Sequence, residues 1–188
     1  QAVCVGPGIA QSTETEQMLV KLIKTCRLPL VIDADGLNLL SRNIDVLNSA
    51  NNALILTPHP GEFDRLFGKS QCSWERLERA REMAQKYGVI IVLKGAYTRV
   101  VLPNGNVHFN STGNPGMATG GSGDVLSGII TGLLARGLPP ADAAITGVYI
   151  HGLAGDLAAD EFGQIGLCAS DIVNYICKAF QHITNNDE

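Results

Sequence analysis

Asp124 directly follows Gly120, Gly121, Ser122 and Gly123 and opens an apolar run of helical length, DVLSGIITGLLARG. Glycines and a proline crowd the segment from Gly113 to Gly123, which forbids regular structure there and predicts a loop feeding a helix that begins at Asp124. The first turn of a helix leaves backbone N–H groups unpaired and carries the positive end of the macrodipole. Gly120, Gly121 and Gly123 have no Cβ to hold a ligand away, so a phosphate can rest on their amides, with Ser122 as a further donor. Asp124 is an acceptor that repels phosphate and suits taking a proton from a hydroxyl that attacks phosphorus. On GGSGD alone a plain helix cap stands level with this reading. The order of glycines, Asp and a long small-residue helix favours an anion site with a base.

The rest of the chain must bring other groups to that junction. Residues 2–5 read as a strand stopped by Gly6-Pro7-Gly8, and Thr13 to Arg27 as a helix capped by Ser12 or Thr13, with Met18, Leu19, Leu22 and Ile23 at helical spacing. Leu28 to Asp33 predicts a strand buried on both faces. Asp33 and Asp35 at its end suit a divalent cation or its waters, or else the cap of a helix begun by Leu37, Leu39 and Leu40, and the structural reading leads for Asp33. A third strand, Ala53 to Leu56, stops at Thr57-Pro58-His59-Pro60-Gly61-Glu62, where two prolines restrict the backbone around His59. That imidazole is placed to donate to a phosphate or ribose oxygen, or is simply a loop histidine; Glu62 equally complements a helix dipole. Phe63, Leu66 and Phe67 read as core.

Trp74 to Tyr87 is a solvated amphipathic helix with Leu77, Ala80 and Ala84 on one face. Val89 to Leu93 is a fourth buried strand ending at Lys94-Gly95, and the segments flanking Asn104-Gly105 form an antiparallel hairpin. Beyond Pro139-Pro140 a helix runs from Ala141 to Ala159, with Gly132, Gly147, Gly152 and Gly155 as small faces for helix packing and His151 as a packing histidine. A last helix, Ala169 to Ile183, is capped by Ser170 and followed by a polar tail, Thr184 to Glu188.

At 188 residues, 45% hydrophobic and 17% charged, the chain reads as one domain spanning residues 1–188, with a core built mainly of aliphatic side chains. The net charge of −4 without basic runs gives no footprint for nucleic acid. No segment reads as a membrane span or secretion signal, and five cysteines without a CxxC pair read as isolated, mostly buried thiols, so a cytoplasmic protein is expected.

TGNPGMATGGSGDVLSG resembles the nucleotide and catalytic signature of the NAD(P)H-hydrate dehydratases, members of the ribokinase-like superfamily. VGPGIA at Val5 to Ala10, VIDADGLN at Val31 to Asn38, LTPHPGEFDRL at Leu56 to Leu66 and KGAYT at Lys94 to Thr98 follow in the family's order. The resemblance implies an α/β ribokinase-like layered fold, with a mostly parallel central sheet flanked by helices and a small antiparallel hairpin at one edge. It also implies a longer domain, of which this is the C-terminal portion, so that an incomplete sheet with an open strand edge is expected.

The activity it implies is nucleotide-driven dehydration of hydrated NADH or NADPH (NADHX or NADPHX) with Mg²⁺. The form NPGMATGG resembles prokaryotic members, which favours ADP over ATP. Asp124 would be the catalytic base. Lys94, Gly95, Ala96, Tyr97 and Thr98 would bind the nucleotide together with Asn114, Pro115, Gly116, Met117, Ala118, Thr119, Gly120, Gly121, Ser122 and Gly123. Gly8, Asp35, Asn38, His59, Pro60, Gly61, Glu62, Phe63, Asp64, Arg65 and Asp124 would face the hydrate, with Glu62 tied to the metal. A homo-oligomer, and an epimerase domain fused or separate, are implied as well. Ala10 stands where the family usually carries glycine. A small-molecule kinase of the same superfamily, a nucleotide-sensing module and a purely structural α/β domain are the rival readings.

Overall fold

The computed structural model describes residues 1–185; residues 186–188, on which most of the predicted tail falls, lie outside the described residues. Four short strands, β1 (Val3–Val5), β2 (Leu30–Ile32), β3 (Leu54–Leu56) and β4 (Ile90–Leu93), lie side by side and parallel in chain order. β5 (Arg99–Val101) and β6 (Val107–Phe109) extend the sheet antiparallel beyond β4. β1 is one edge strand of this sheet and the hairpin forms the other edge.

Helices cover both faces because successive strand residues point opposite ways and both sets are apolar. Leu30, Ile32, Leu54, Leu56, Ile91 and Leu93 form one core with residues of α1 (Thr13–Thr25), α2 (Asp35–Leu40), α3 (Pro60–Phe67) and α4 (Ser73–Tyr87). Val31, Ile55, Ile90, Val92 and Val100 form the second with α5 (Ser122–Ala135) and α6 (Pro140–Phe162). α7 (Ala169–Asn185) completes this layer through Ile172, Tyr175 and Ala179, which pack on Ile150, Ala154 and Ala158. Gly147 lets α6 approach α5, since a Cβ there would meet Ile130 Cγ1 at 2.7 Å.

Local chemistry sets most boundaries. Ser12 Oγ accepts Thr15 N–H at 3.2 Å to start α1, and left-handed Gly88 (φ 65°) ends α4. The structure corrects several expectations. Met18 is 44% exposed, because Leu19 and Ile23 alone on that helix are fully buried. Two 3₁₀ segments were not anticipated, Ile44–Ser49 and Pro115–Met117, the second inside the glycine-rich stretch expected to lack regular structure. Gly132 packs against nothing, while Gly152 and Gly155 face a loop rather than a helix. Ser170 lies inside α7, where Asp171 instead accepts Cys168 N–H at 2.9 Å. α7 continues through Thr184, where the polar tail was predicted to begin. The five cysteines are free, but Cys4, Cys72, Cys168 and Cys177 are exposed and Cys26 half-buried, so they are not core residues. Among the described residues no helix is long and apolar enough to cross a membrane.

Candidate active site

The four parallel strands end at one edge of the sheet, and the turns leaving them carry most of the residues singled out above. Ligands bind at this edge in open α/β sheets. Gly6 sets its geometry: at φ 138°, a Cβ there would lie 1.7 Å from the Asp33 carbonyl oxygen, so the β1 turn touches the end of β2 only because glycine is present. Gly8 (φ 67°) and Ala10 (φ 60°) follow, both exposed and both left-handed. Ala10 thus holds a conformation that glycine adopts freely.

Asp35 and Asn38 lie on α2, where Asp35 Oδ1 accepts Gln11 Nε2–H at 2.7 Å and Asn38 Oδ1 accepts Arg65 Nε–H at 2.8 Å. His59 is fixed as the N-cap of α3, its Nδ1 accepting the Gly61 and Glu62 amides at 3.0 and 3.3 Å. Glu62 answers by accepting His59 N–H at 2.8 Å, which makes a reciprocal capping box with Pro60 at the start of the helix. Two members of this segment do not face the cleft. Phe63 is fully buried against Phe67 at 5.0 Å, and Asp64 forms a double hydrogen bond with Arg76 at 3.0 and 3.1 Å. Arg76 holds the Asp64 carboxyl below the usual carboxylate range.

On the β4 side, Lys94 turns inward. Its Nζ lies 2.8 Å from Asp33 Oδ1 and 3.9 Å from Glu62 Oε2. Asp33, only 1% exposed, also accepts Ala34 N–H at 2.8 Å and the Ser127 hydroxyl at 2.5 Å. Lys94 Nζ would be 3.2 Å from a Cβ on Gly123, so the ammonium sits immediately beneath the first turn of α5. Gly95, Ala96 and Tyr97 form the exposed tip between β4 and β5; Tyr97 is left-handed (φ 55°) and 71% exposed, and Thr98 Oγ1 closes the tip onto Gly95 O at 3.1 Å.

α5 begins at Ser122, two residues before the predicted start, with left-handed Gly121 (φ 86°) as its N-cap. Asp124 is therefore at the third helical position, and its side chain is exposed rather than buried as a cap. Among the described residues, no main-chain acceptor meets the amides of Gly123 and Asp124, whereas Ser122 N–H bonds to Thr119 O at 3.4 Å. The Ser122 side chain is buried and points to His151, so it is not the free donor expected from sequence. Asn114 and Met117 likewise face α6: Asn114 Nδ2 donates to Gly155 O at 3.0 Å, and the Met117 sulfur lies against Gly155. Pro115, Ala118 and Gly120 are exposed along the arch, with Gly116 and Thr119 half-buried.

Chemically, the arrangement offers two unpaired amides at a helix start, an ammonium beneath them, and an exposed carboxylate beside them. Asp33 and Glu62 are the buried carboxylates below. No group of three or more potential metal ligands clusters among the described residues, and both carboxylates already accept internal hydrogen bonds. This donor set fits Mg²⁺ carried on phosphate oxygens and touched by at most one or two protein carboxylates. Sequence reasoning did not assign Asp33, Ser127, His151 or Asp156 to the site. The signal for the last two is HGLAGD, in which small residues beside a His and an Asp mark a helix face that receives a loop.

The family model described as NAD(P)H-hydrate dehydratase matches residues 1–178. A bifunctional NAD(P)H-hydrate repair enzyme of Moorella thermoacetica is 44% identical over 176 residues, covering 93% of this chain and 33% of that protein. An ADP-dependent (S)-NAD(P)H-hydrate dehydratase of Neisseria meningitidis is 44% identical over 149 residues, covering 77% of this chain and 50% of that one. The crystal structure of an ADP/ATP-dependent NAD(P)H-hydrate dehydratase of Bacillus subtilis, co-crystallised with ATP/Mg²⁺, superposes with a TM-score of 0.85 at 33% identity over 96% of this chain and 66% of that one. The chain thus spans a third to a half of the two curated relatives. A hydroxyethylthiazole kinase of Pyrococcus horikoshii, 17% identical with a TM-score of 0.75, shares the fold. From glycine loop to strand ends, and across nearly its whole length, this chain belongs to the NAD(P)H-hydrate dehydratase family.

Proposed function

We propose that the chain converts (S)-NADHX and (S)-NADPHX to NADH and NADPH, using ADP, or ATP in its place, as phosphoryl donor. One observation carries this reading: the exposed Asp124 carboxylate stands beside the unpaired Gly123 and Asp124 amides, over the Lys94 ammonium. Asp124 takes the proton of the ring hydroxyl, whose oxygen forms a bond to the terminal phosphorus as the bond to the departing nucleotide breaks. The carbon–oxygen bond of the new ester then breaks, phosphate leaves, the ring nitrogen lone pair moves in, and loss of a neighbouring ring proton restores the dihydronicotinamide.

The open amides of Gly123 and Asp124, with the Gly120–Gly121 stretch before them, and the Lys94 ammonium stabilise the charge on the transferring group. Glu62, with Asp33 behind it, would hold Mg²⁺ through its waters, and the ion would neutralise phosphate charge. The arch Asn114–Gly123 and the tip Lys94–Thr98 line the nucleotide side, although Asn114, Met117 and Ser122 serve by shaping the loop. Gly8, Asp35, Asn38, His59, Pro60, Gly61, Glu62 and Arg65 line the hydrate side. A homo-oligomer in the cytoplasm, acting with an epimerase domain fused or separate, belongs to the same reading.

The test is absorbance at 340 nm with the purified protein, NADHX, Mg²⁺ and either ADP or ATP. A rise that requires the nucleotide supports the proposal. Nucleotide consumption with phosphorylation of another alcohol, and no change of the hydrate, overturns it in favour of a kinase.

A further inference from the structure

The loop from Thr112 to Ser122 is moulded on α6. At its start Asp156 accepts Gly113 N–H at 2.7 Å and Asn114 Nδ2–H at 2.9 Å, and Thr112 Oγ1 donates to Tyr149 O at 2.9 Å. At its end His151 Nε2 lies 2.9 Å from Ser122 O. Gly152 and Gly155 make room, since a Cβ at either would lie 2.2 Å from Thr112 Oγ1 or 2.3 Å from the Met117 sulfur. The arch between is thus pinned at both ends by one helix.

We propose that His151 is a positioning residue that locks the Ser122–Gly123 peptide so that the Gly123 N–H faces the incoming phosphate. A carbonyl oxygen can only accept, so His151 Nε2 carries the proton and donates to Ser122 O. A trans peptide unit is planar, and its C=O and N–H point in opposite directions. Holding the Ser122 carbonyl against α6 therefore turns the Gly123 N–H away from α6, where no main-chain acceptor meets it among the described residues. The unit lies in the first turn of α5, where Gly121 and Gly123 favour helix only weakly, so the hydrogen bond from α6 holds that turn from outside the loop. A flipped peptide would present the Ser122 oxygen to the anion, removing a donor and adding a repulsion. Burial supports the role, because it pushes the His151 pKa down to about 4 and keeps the ring a neutral donor at neutral pH.

This inference rests on the phosphate role proposed for the loop, so its test begins in the ligand-free protein. The Gly123 amide signal and its hydrogen exchange are followed in wild type, His151→Leu, His151→Gln and His151→Asn, and ADP affinity is measured by calorimetry. Gln places a donor near the position of Nε2, whereas Asn is too short to reach. His151→Leu and His151→Asn are expected to shift the Gly123 amide, speed its exchange and weaken ADP about tenfold. His151→Gln should stay within about threefold on both readouts, and the KM for the hydrate should hold in every variant that turns over. The role is overturned if His151→Leu, or His151→Asn should the former not fold, keeps the wild-type Gly123 signal and ADP affinity, or if His151→Gln is as impaired as the others. Perturbed Gly123 with no conversion of NADHX by wild type would sink the dehydratase reading and leave the peptide lock standing.

Discussion

The two halves of the strand-end cleft are built on different principles. On the β1–β3 side the polar groups are side chains, and nearly all already have partners within the protein. Asn38 holds Arg65, Asp35 holds Gln11, and His59 caps α3. On the β4–α5 side the donors are main-chain amides left open by the helix start, and half-buried Lys94, paired with buried Asp33 and Ser127, supports them from below. A ligand of the first half must exchange internal hydrogen bonds for its own. A ligand of the second meets donors that are already free and aimed, which suits a charged group.

Asp124 is where the comparison breaks most sharply. Asp124→Asn keeps the amides but cannot take a proton, so kcat should fall about 10²- to 10⁴-fold while ADP affinity measured by calorimetry holds. Loss of ADP binding with unchanged turnover per bound complex would mean the carboxylate is only part of the nucleotide seat.

Lys94→Met comes next in size. It leaves Asp33 buried without its ammonium, and urea unfolding should report a loss of about 3–5 kcal/mol together with weakened ADP binding. A loss below about 1 kcal/mol, typical of an exposed pair, would show that the group beneath the loop is not a buried support.

His151 adds a pH dependence of similar scale. The unfolded chain takes up a proton on this ring near pH 6.5, whereas the folded protein, where burial disfavours the charge, does so only at about 4. The unfolded state thus binds more protons in that window, and stability falls as pH drops from above 6.5 to 4. The contribution is about 3 kcal/mol, present in wild type and absent from His151→Gln when their urea midpoints are compared across the range.

Asn38→Ala tests the other half. Freed from its partner, Arg65 loses its orientation, and the KM for the hydrate should rise about tenfold with the KM for ADP unchanged. A change in the ADP value instead would erase the division between halves. The smallest effect is expected at Ala10, where glycine removes left-handed strain but adds freedom to the unfolded chain. The stability of Ala10→Gly, measured by thermal melting, should change by under about 1 kcal/mol, in either direction.

The parallel strands, the hairpin at Asn104-Gly105 and the glycine loop before a helix were legible because each depends on near neighbours in sequence: apolar runs, turn residues and missing Cβ atoms. Sequence was less informative where one residue had two uses. His59 has the composition of a ligand and proves to be a cap, with Glu62 as its reciprocal partner. Phe63 read as core from its apolar character, and only the resemblance put it in the cleft, where the structure does not. The start of α5 moved two residues because Ser122 and Gly123, poor helix formers by themselves, are held in the first turn by α6.

By itself the sequence determined the layered α/β plan, the order of the elements and the junction at which glycine amides meet a carboxylate, since periodicity and glycine content act over a few residues. Tertiary structure alone decided that Lys94 lies under Gly123, that Asp33 neutralises it from 61 positions away, and that His151 reaches across to the Ser122 carbonyl. Those pairings arise when strand ends and helices close on one another. Buried charges and carbonyls then have to find partners wherever the packing has brought them, however distant in the chain.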